Sequence, residues 1–202
     1  IFRTFDEIVH LLKLDELGIG FIEGGFPASN PKEIEFFRRM RDERLRNAEL
    51  VAFGMTRRKG APAEADDSLR VLAEIYTPTV AIVGKTWGLH LSKVIRVSRD
   101  ENLRMIDESV RFLTAQGKRV VYDAEHFFDG YKADREYSLA TLRAARDAGA
   151  RTLVLCDTNG GALPEMVAQR TKDALQALRG TGVSIGIHCH NDGDLATANS
   201  LA

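Results

Sequence analysis

Short apolar runs alternate with helical stretches along the whole chain, and this alternation constrains the fold more than any other feature. The spacing predicts a helix over 5–17, stopped by Gly18, then a strand over 19–23, broken by Gly24-Gly25. A helix follows over 31–46, with Asn30 as N-cap and Pro31 at the first helical position. Strands over 50–53, 79–83, 119–122, 152–156 and 183–190 then alternate with helices over 66–75, 99–116, 134–148 and 164–178. A further helix starts at Leu195. Repeats of roughly 30–40 residues built this way mean parallel strands joined by crossover helices. Val80-Ala81-Ile82-Val83 and Leu153-Val154-Leu155 are apolar at successive positions, as in strands covered on both faces.

Two architectures fit: an open doubly wound sheet and a (β/α)₈ TIM barrel. The first wants Gly-x-Gly-x-x-Gly after an early strand. Here Gly18-x-Gly20 precedes the strand, and Gly24-Gly25-Phe26-Pro27 lacks the spacing. The barrel is preferred because polar residues follow almost every strand, where barrel enzymes gather their catalytic groups. They are Glu23, Thr56 and Arg57, Lys85, Asp123 and Glu125, Asp157 and Thr158, and His188 with His190. A barrel of eight such units takes about 250 residues. The 202 residues are therefore expected to form one incomplete barrel domain of about six strand–helix units within a larger protein.

Composition narrows the partners. With 28 basic and 29 acidic side chains there is no electrostatic reason to expect nucleic acid or an anionic membrane surface. No apolar run approaches the roughly 18–20 residues of a membrane span. The start, Ile1-Phe2-Arg3-Thr4, lacks the pattern of a signal peptide. Two cysteines, Cys156 and Cys189, make no disulfide framework, so a cytoplasmic location is expected.

His188-Cys189-His190-Asn191-Asp192 is the sharpest chemical signal. Two histidines at i and i+2 of a strand share a face, and two imidazoles converging at a barrel mouth make half of a divalent-metal site. Cys189 points the other way, into packing. In Tyr122-Asp123-Ala124-Glu125-His126, Asp123 and Glu125 share one face and Tyr122 takes the other. A carboxylate there suits a general base or a substrate-orienting group, or it is simply a solvated loop carboxylate. His126 reads as a satisfied, partly buried histidine. Asp157-Thr158-Asn159-Gly160-Gly161 offers hydroxyl and backbone N–H groups to a carboxylate or phosphate, or merely caps its own turn. Gly84-Lys85-Thr86 lacks the first glycine of a phosphate loop, since Thr79 stands there.

Taken in order, Ile22–Pro27, Tyr122-Asp123-Ala124-Glu125-His126-Phe127-Phe128-Asp129-Gly130-Tyr131-Lys132, Asp157–Gly161 and Ile187–Asp192 resemble the catalytic barrel of the 2-isopropylmalate, homocitrate and citramalate synthase family, within the aldolase-type metallolyases. The resemblance covers nearly the whole chain. The Tyr122–Gly130 run and Phe53-Gly54-Met55-Thr56-Arg57-Arg58 look most like the citramalate branch. It implies a Claisen-type condensation of acetyl-CoA with a small 2-oxo acid such as pyruvate, on a divalent metal (Mn, Mg, Zn or Co). By motif position His188 and His190 would be metal ligands, and Glu125 and Glu23 would orient substrate or catalytic groups. Thr158 would bond the substrate carboxylate. Tyr122 would line the 2-oxo acid pocket, Asn191 would support the metal shell, and His90 is a further substrate-binding candidate. A homodimer is also implied.

The family's first-strand motif, with its ligand Asp and catalytic Arg, and its last two units have no counterpart in these residues. Two histidines without an anionic ligand should hold metal weakly, so these residues alone are not expected to catalyse. The other readings are a sister synthase, a hydroxymethylglutaryl-CoA lyase-like enzyme, and a non-catalytic barrel remnant. A metal-dependent hydrolase is disfavoured, because there His-x-His belongs to the first strand.

Overall fold

The computed structural model describes residues 2–202, with side chains from Ile8 onward, so the reading of the Ile1–Thr4 start lies outside the described side chains. The elements run α1 (Phe2–Glu16), β1 (Phe21–Gly25), α2 (Pro31–Met40), β2 (Glu49–Met55), α3 (Asp67–Glu74) and β3 (Thr79–Lys85). There follow a single turn α4 (Gly88–His90), α5 (Arg99–Ala115), β4 (Arg119–Glu125), α6 (Phe127–Ala133), α7 (Arg135–Asp147), β5 (Thr152–Asp157), α8 (Pro164–Ala177), β6 (Ser184–Cys189) and α9 (Ala196–Leu201).

The six strands form one parallel sheet in the order β1-β2-β3-β4-β5-β6. This order has no reversal, and a doubly wound sheet needs one. Right-handed crossovers that always step in one direction put every helix on the same side, so the sheet curls about its other face. The result is an α/β half-barrel, an incomplete TIM-barrel topology, as the strand–helix alternation predicts.

Helices and sheet share the outer core. Ile82, Tyr122 and Leu153 come from the strands and meet Leu69 and Leu72 of α3, Ile106, Val110 and Leu113 of α5, and Leu139 and Leu142 of α7, all fully buried. Each such aliphatic side chain contributes roughly 1.5–3 kcal/mol by leaving water. The outer sheet strands are open, which leaves Phe21 59% exposed on β1.

Local signals act as expected at most ends. Asn30 Oδ1 accepts from the N–H groups of Lys32 and Glu33, at 3.0 and 3.3 Å. Asp66 caps α3 in the same way, at 3.0 and 3.1 Å to Ser68 and Leu69. Two differences have physical causes. The helix after Pro31 ends at Met40 rather than near Arg46. The Asp15 carboxylate accepts from the backbone N–H groups of Arg46, Asn47 and Ala48 and holds that segment out of helical geometry. Helix α6 has no strong apolar period and carries Gly130 in its middle. A Cβ at Gly130 would lie 2.9 Å from the Thr86 carbonyl oxygen, so glycine there permits close packing.

Candidate metal centre and cleft

Strand register assembles the site. Lys85 pairs across β3 and β4 with Glu125. Asp123 stands opposite Val154 on β5, and Cys156, two residues further on, stands opposite His188 on β6. Because side chains alternate, Asp123, Cys156 and His188 point to the concave face from three successive strands. One ligand atom from each lies within 4.8 Å of the others, a separation one cation can bridge. Below them is a cavity of about 290 Å³ lined by Phe21, Glu23, Val51, Ala81, Val121, Asp123, Thr152, Val154 and His188.

The donor set fits a divalent metal: carboxylate, thiol and imidazole suit a borderline ion such as Zn or Co. The His190 ring lies beside that of His188, with centroids 5.0 Å apart, and its Nδ1 is 3.8 Å from Asp192 Oδ2. Loss of hydration, then the neighbouring His190, lowers the pKa of His188 and so favours the neutral imidazole that binds metals. Burial, then repulsion from Glu23, pushes Asp123 up to about 7. Glu23 is on the same face, open at its edge, yet desolvation raises its pKa as well. Burial pushes the Cys156 thiol up, so a metal would have to compete with its proton.

The rim carries the polar groups. Glu125 is ion-paired with Lys85. Thr158 Oγ1 accepts from the His126 N–H at 2.9 Å. His90 packs edge-on to His126, with centroids 4.2 Å apart, and tilted against Trp87 at 5.3 Å. Among the described residues its Nδ1 is buried without a hydrogen-bond partner, and desolvation, then His126, lowers its pKa.

The structure thus gathers Glu23, Glu125, Thr158, His188 and His190 at one end of the sheet, with His90 behind the rim. Asn191 is engaged locally: its Oδ1 accepts from Ala196 N at 3.1 Å and its Nδ2 donates to Asp194 at 3.3 Å, shaping the turn into α9. The expectation that Tyr122 lines the substrate pocket is corrected. It stands on the face opposite Asp123, fully buried under the helices, and its ring lies where a Cβ on Gly84 would be. Two strand-end groups also turn out to be structural. Arg57 is buried against α5, and Asp157 is buried with its Oδ2 accepting from Ala162 N at 3.1 Å. Sequence reasoning missed Cys156 as a cleft residue and placed Lys85 at a strand end without its pairing to Glu125. Counting by twos from Val154 would have placed Cys156 on the cleft face, whereas the Lys85–Glu125 pair needed the register.

Comparisons with known proteins agree with this fold. The sequence model of the HMGL-like family matches residues 4–202. The chain is 46% identical over 200 residues to a (R)-citramalate synthase of Sulfolobus acidocaldarius, covering 99% of this chain and 38% of that protein. It is 46% identical over 201 residues to a (R)-citramalate synthase of Synechocystis sp., covering 97% and 37%. The chain thus spans well under half the length of the curated relatives it matches. Among solved structures, a hydroxymethylglutaryl-CoA lyase from Pseudomonas aeruginosa superposes with a TM-score of 0.75 at 17% identity, over 97% of this chain and 64% of that one. At that identity the likeness is one of fold.

Proposed function

This chain belongs to the HMGL-like family, and we propose that the protein carrying it condenses acetyl-CoA with a small 2-oxo acid, pyruvate above all, in the manner of a citramalate synthase. The convergence of Asp123, Cys156 and His188 beneath the Glu125–Thr158 rim carries this reading, because it sets metal donors beside groups suited to a small carboxylate. His188 and His190 would hold the metal, with Asp123 and Cys156 within reach. A divalent metal bound there supplies Lewis-acid polarisation of the keto group.

The chain's own residues supply binding and orientation. Thr158 can donate its hydroxyl proton to the substrate carboxylate. Glu125, fixed by Lys85, offers a carboxylate at the rim, where it can orient a proton donor or acceptor for a substrate bound there. Glu23 and Asp123 line the floor, and Val51, Ala81 and Val154 give it apolar walls. His90 closes the rim behind His126. A cytoplasmic homodimer belongs to the same proposal, and light scattering of the full-length protein checks the dimer.

The direct test incubates full-length protein with acetyl-CoA, Mn or Mg, and a panel of 2-oxo acids, and detects released CoA thiol. Preference for pyruvate supports the proposal. Preference for 2-oxoisovalerate or 2-oxoglutarate moves it to a sister synthase, and no release with any acid overturns it.

A further inference from the structure

His126 follows Glu125 in the left-handed region, with φ 53°. A side chain with a Cβ adopts that conformation only where its surroundings over-determine it. Here they do. The ring is 8% exposed. Its Nδ1 is 3.3 Å from Asp129 Oδ2, which also accepts from Asn159 Nδ2 at 2.9 Å. The rings of His90 and Trp87 pack on it at 4.2 and 5.7 Å between centroids. The turn sends the His126 N–H to Thr158 Oγ1 at 2.9 Å, which ties β4 to β5 beyond their last paired residues, Ala124 and Leu155.

A hydroxyl has one proton and two lone pairs. With one lone pair of Thr158 taken by the His126 N–H, its proton and second lone pair remain, and the proton is the part a carboxylate can take. Among the described residues no acceptor takes it. We infer that His126 is a positioning residue whose left-handed backbone presets Thr158 as the hydrogen-bond donor to the carboxylate of the 2-oxo acid. The identity of that acceptor rests on the condensing-enzyme reading; the His126–Thr158 tie does not.

Two measurements on full-length protein test it. Amide exchange by NMR reads the tie without activity: Thr158→Val should speed exchange of the His126 amide at least about tenfold, as loss of a hydrogen bond does. An unchanged rate overturns the inference. Kinetics reads the consequence. His126→Ala should raise KM for the 2-oxo acid about tenfold and leave KM for acetyl-CoA within about twofold. Both variants keep the backbone N–H, but asparagine tolerates the left-handed backbone better than alanine, so His126→Asn should stay near wild type. Equal KM values for the Ala and Asn variants overturn the inference. If wild-type protein releases no CoA with any acid, the functional reading fails, and amide exchange alone decides the tie. It also decides if His126→Ala does not fold.

Discussion

Arg57 Nη1 lies 3.0 Å from Glu101 Oε1, so the guanidinium at the end of β2 is anchored to the helix behind the sheet. Its Nε also bonds Glu108 at 2.5 Å, and its backbone N–H donates to Ser109 Oγ at 2.8 Å. Its side chain is only 6% exposed. Arg57→Ala should therefore cost about 2 kcal/mol, because it removes a buried guanidinium from both its ion pairs, although Glu101 keeps Arg104. Urea denaturation measures this. A loss below about 0.5 kcal/mol would show that the pair is not structural.

Glu125→Gln should lower kcat/KM for condensation by at least about a hundredfold while the circular dichroism spectrum stays native. Lys85→Met, which removes the partner that fixes Glu125, should lower it by about tenfold. Wild-type kinetics for Glu125→Gln would remove Glu125 from the chemistry.

Chelation should abolish activity of the full-length protein, and Mn or Co should restore it. His188→Ala and His190→Ala should each weaken metal binding by more than about a hundredfold in calorimetry. Cys156→Ser should weaken Co more than Mn, since a thiolate favours the softer ion. Equal losses for both ions would exclude Cys156 as a ligand.

Tyr122→Phe should change stability by less than about 1 kcal/mol, because among the described residues the buried hydroxyl makes no well-formed hydrogen bond and has only the Thr86 and Thr141 hydroxyls as weak polar neighbours. It should also leave the preference among 2-oxo acids unchanged. A changed substrate order would place Tyr122 in the pocket after all.

Asp15 gives a pH dependence. The backbone N–H groups of Arg46, Ala48 and Asn47 hold its carboxyl below the ordinary aspartate value near 3.8. A depressed folded-state pKa gives stabilisation that is fully present above that ordinary value and is lost as pH falls through the folded value. Asp15→Asn should therefore be less stable than wild type at pH 7, and the gap should narrow as pH falls below about 4. Thermal melts across pH check this, and a gap that stays constant would contradict it.

Much of the site was legible in the residues because strand alternation is local. His188 and His190 share a face by their spacing, as do Asp123 and Glu125, and Tyr122 falls opposite them by the same rule. The pocket role given to Tyr122 came from its place in a motif and ran against that alternation. Asp157 and Arg57 misled for another reason. A polar residue at a strand end serves the cleft or the helices behind it, and only its neighbours decide which.

The sequence by itself determined the alternation of parallel strands with helices and the pair of histidines on one strand face, since periodicities of 2.0 and 3.6 and the capping residues are properties of short stretches. Only the tertiary structure decided that Asp123, Cys156 and His188 converge, that Lys85 holds Glu125, and that His126 turns left-handed to meet Thr158. Each of these depends on register between strands far apart in the chain and on backbone angles after a strand ends, and no local pattern encodes either.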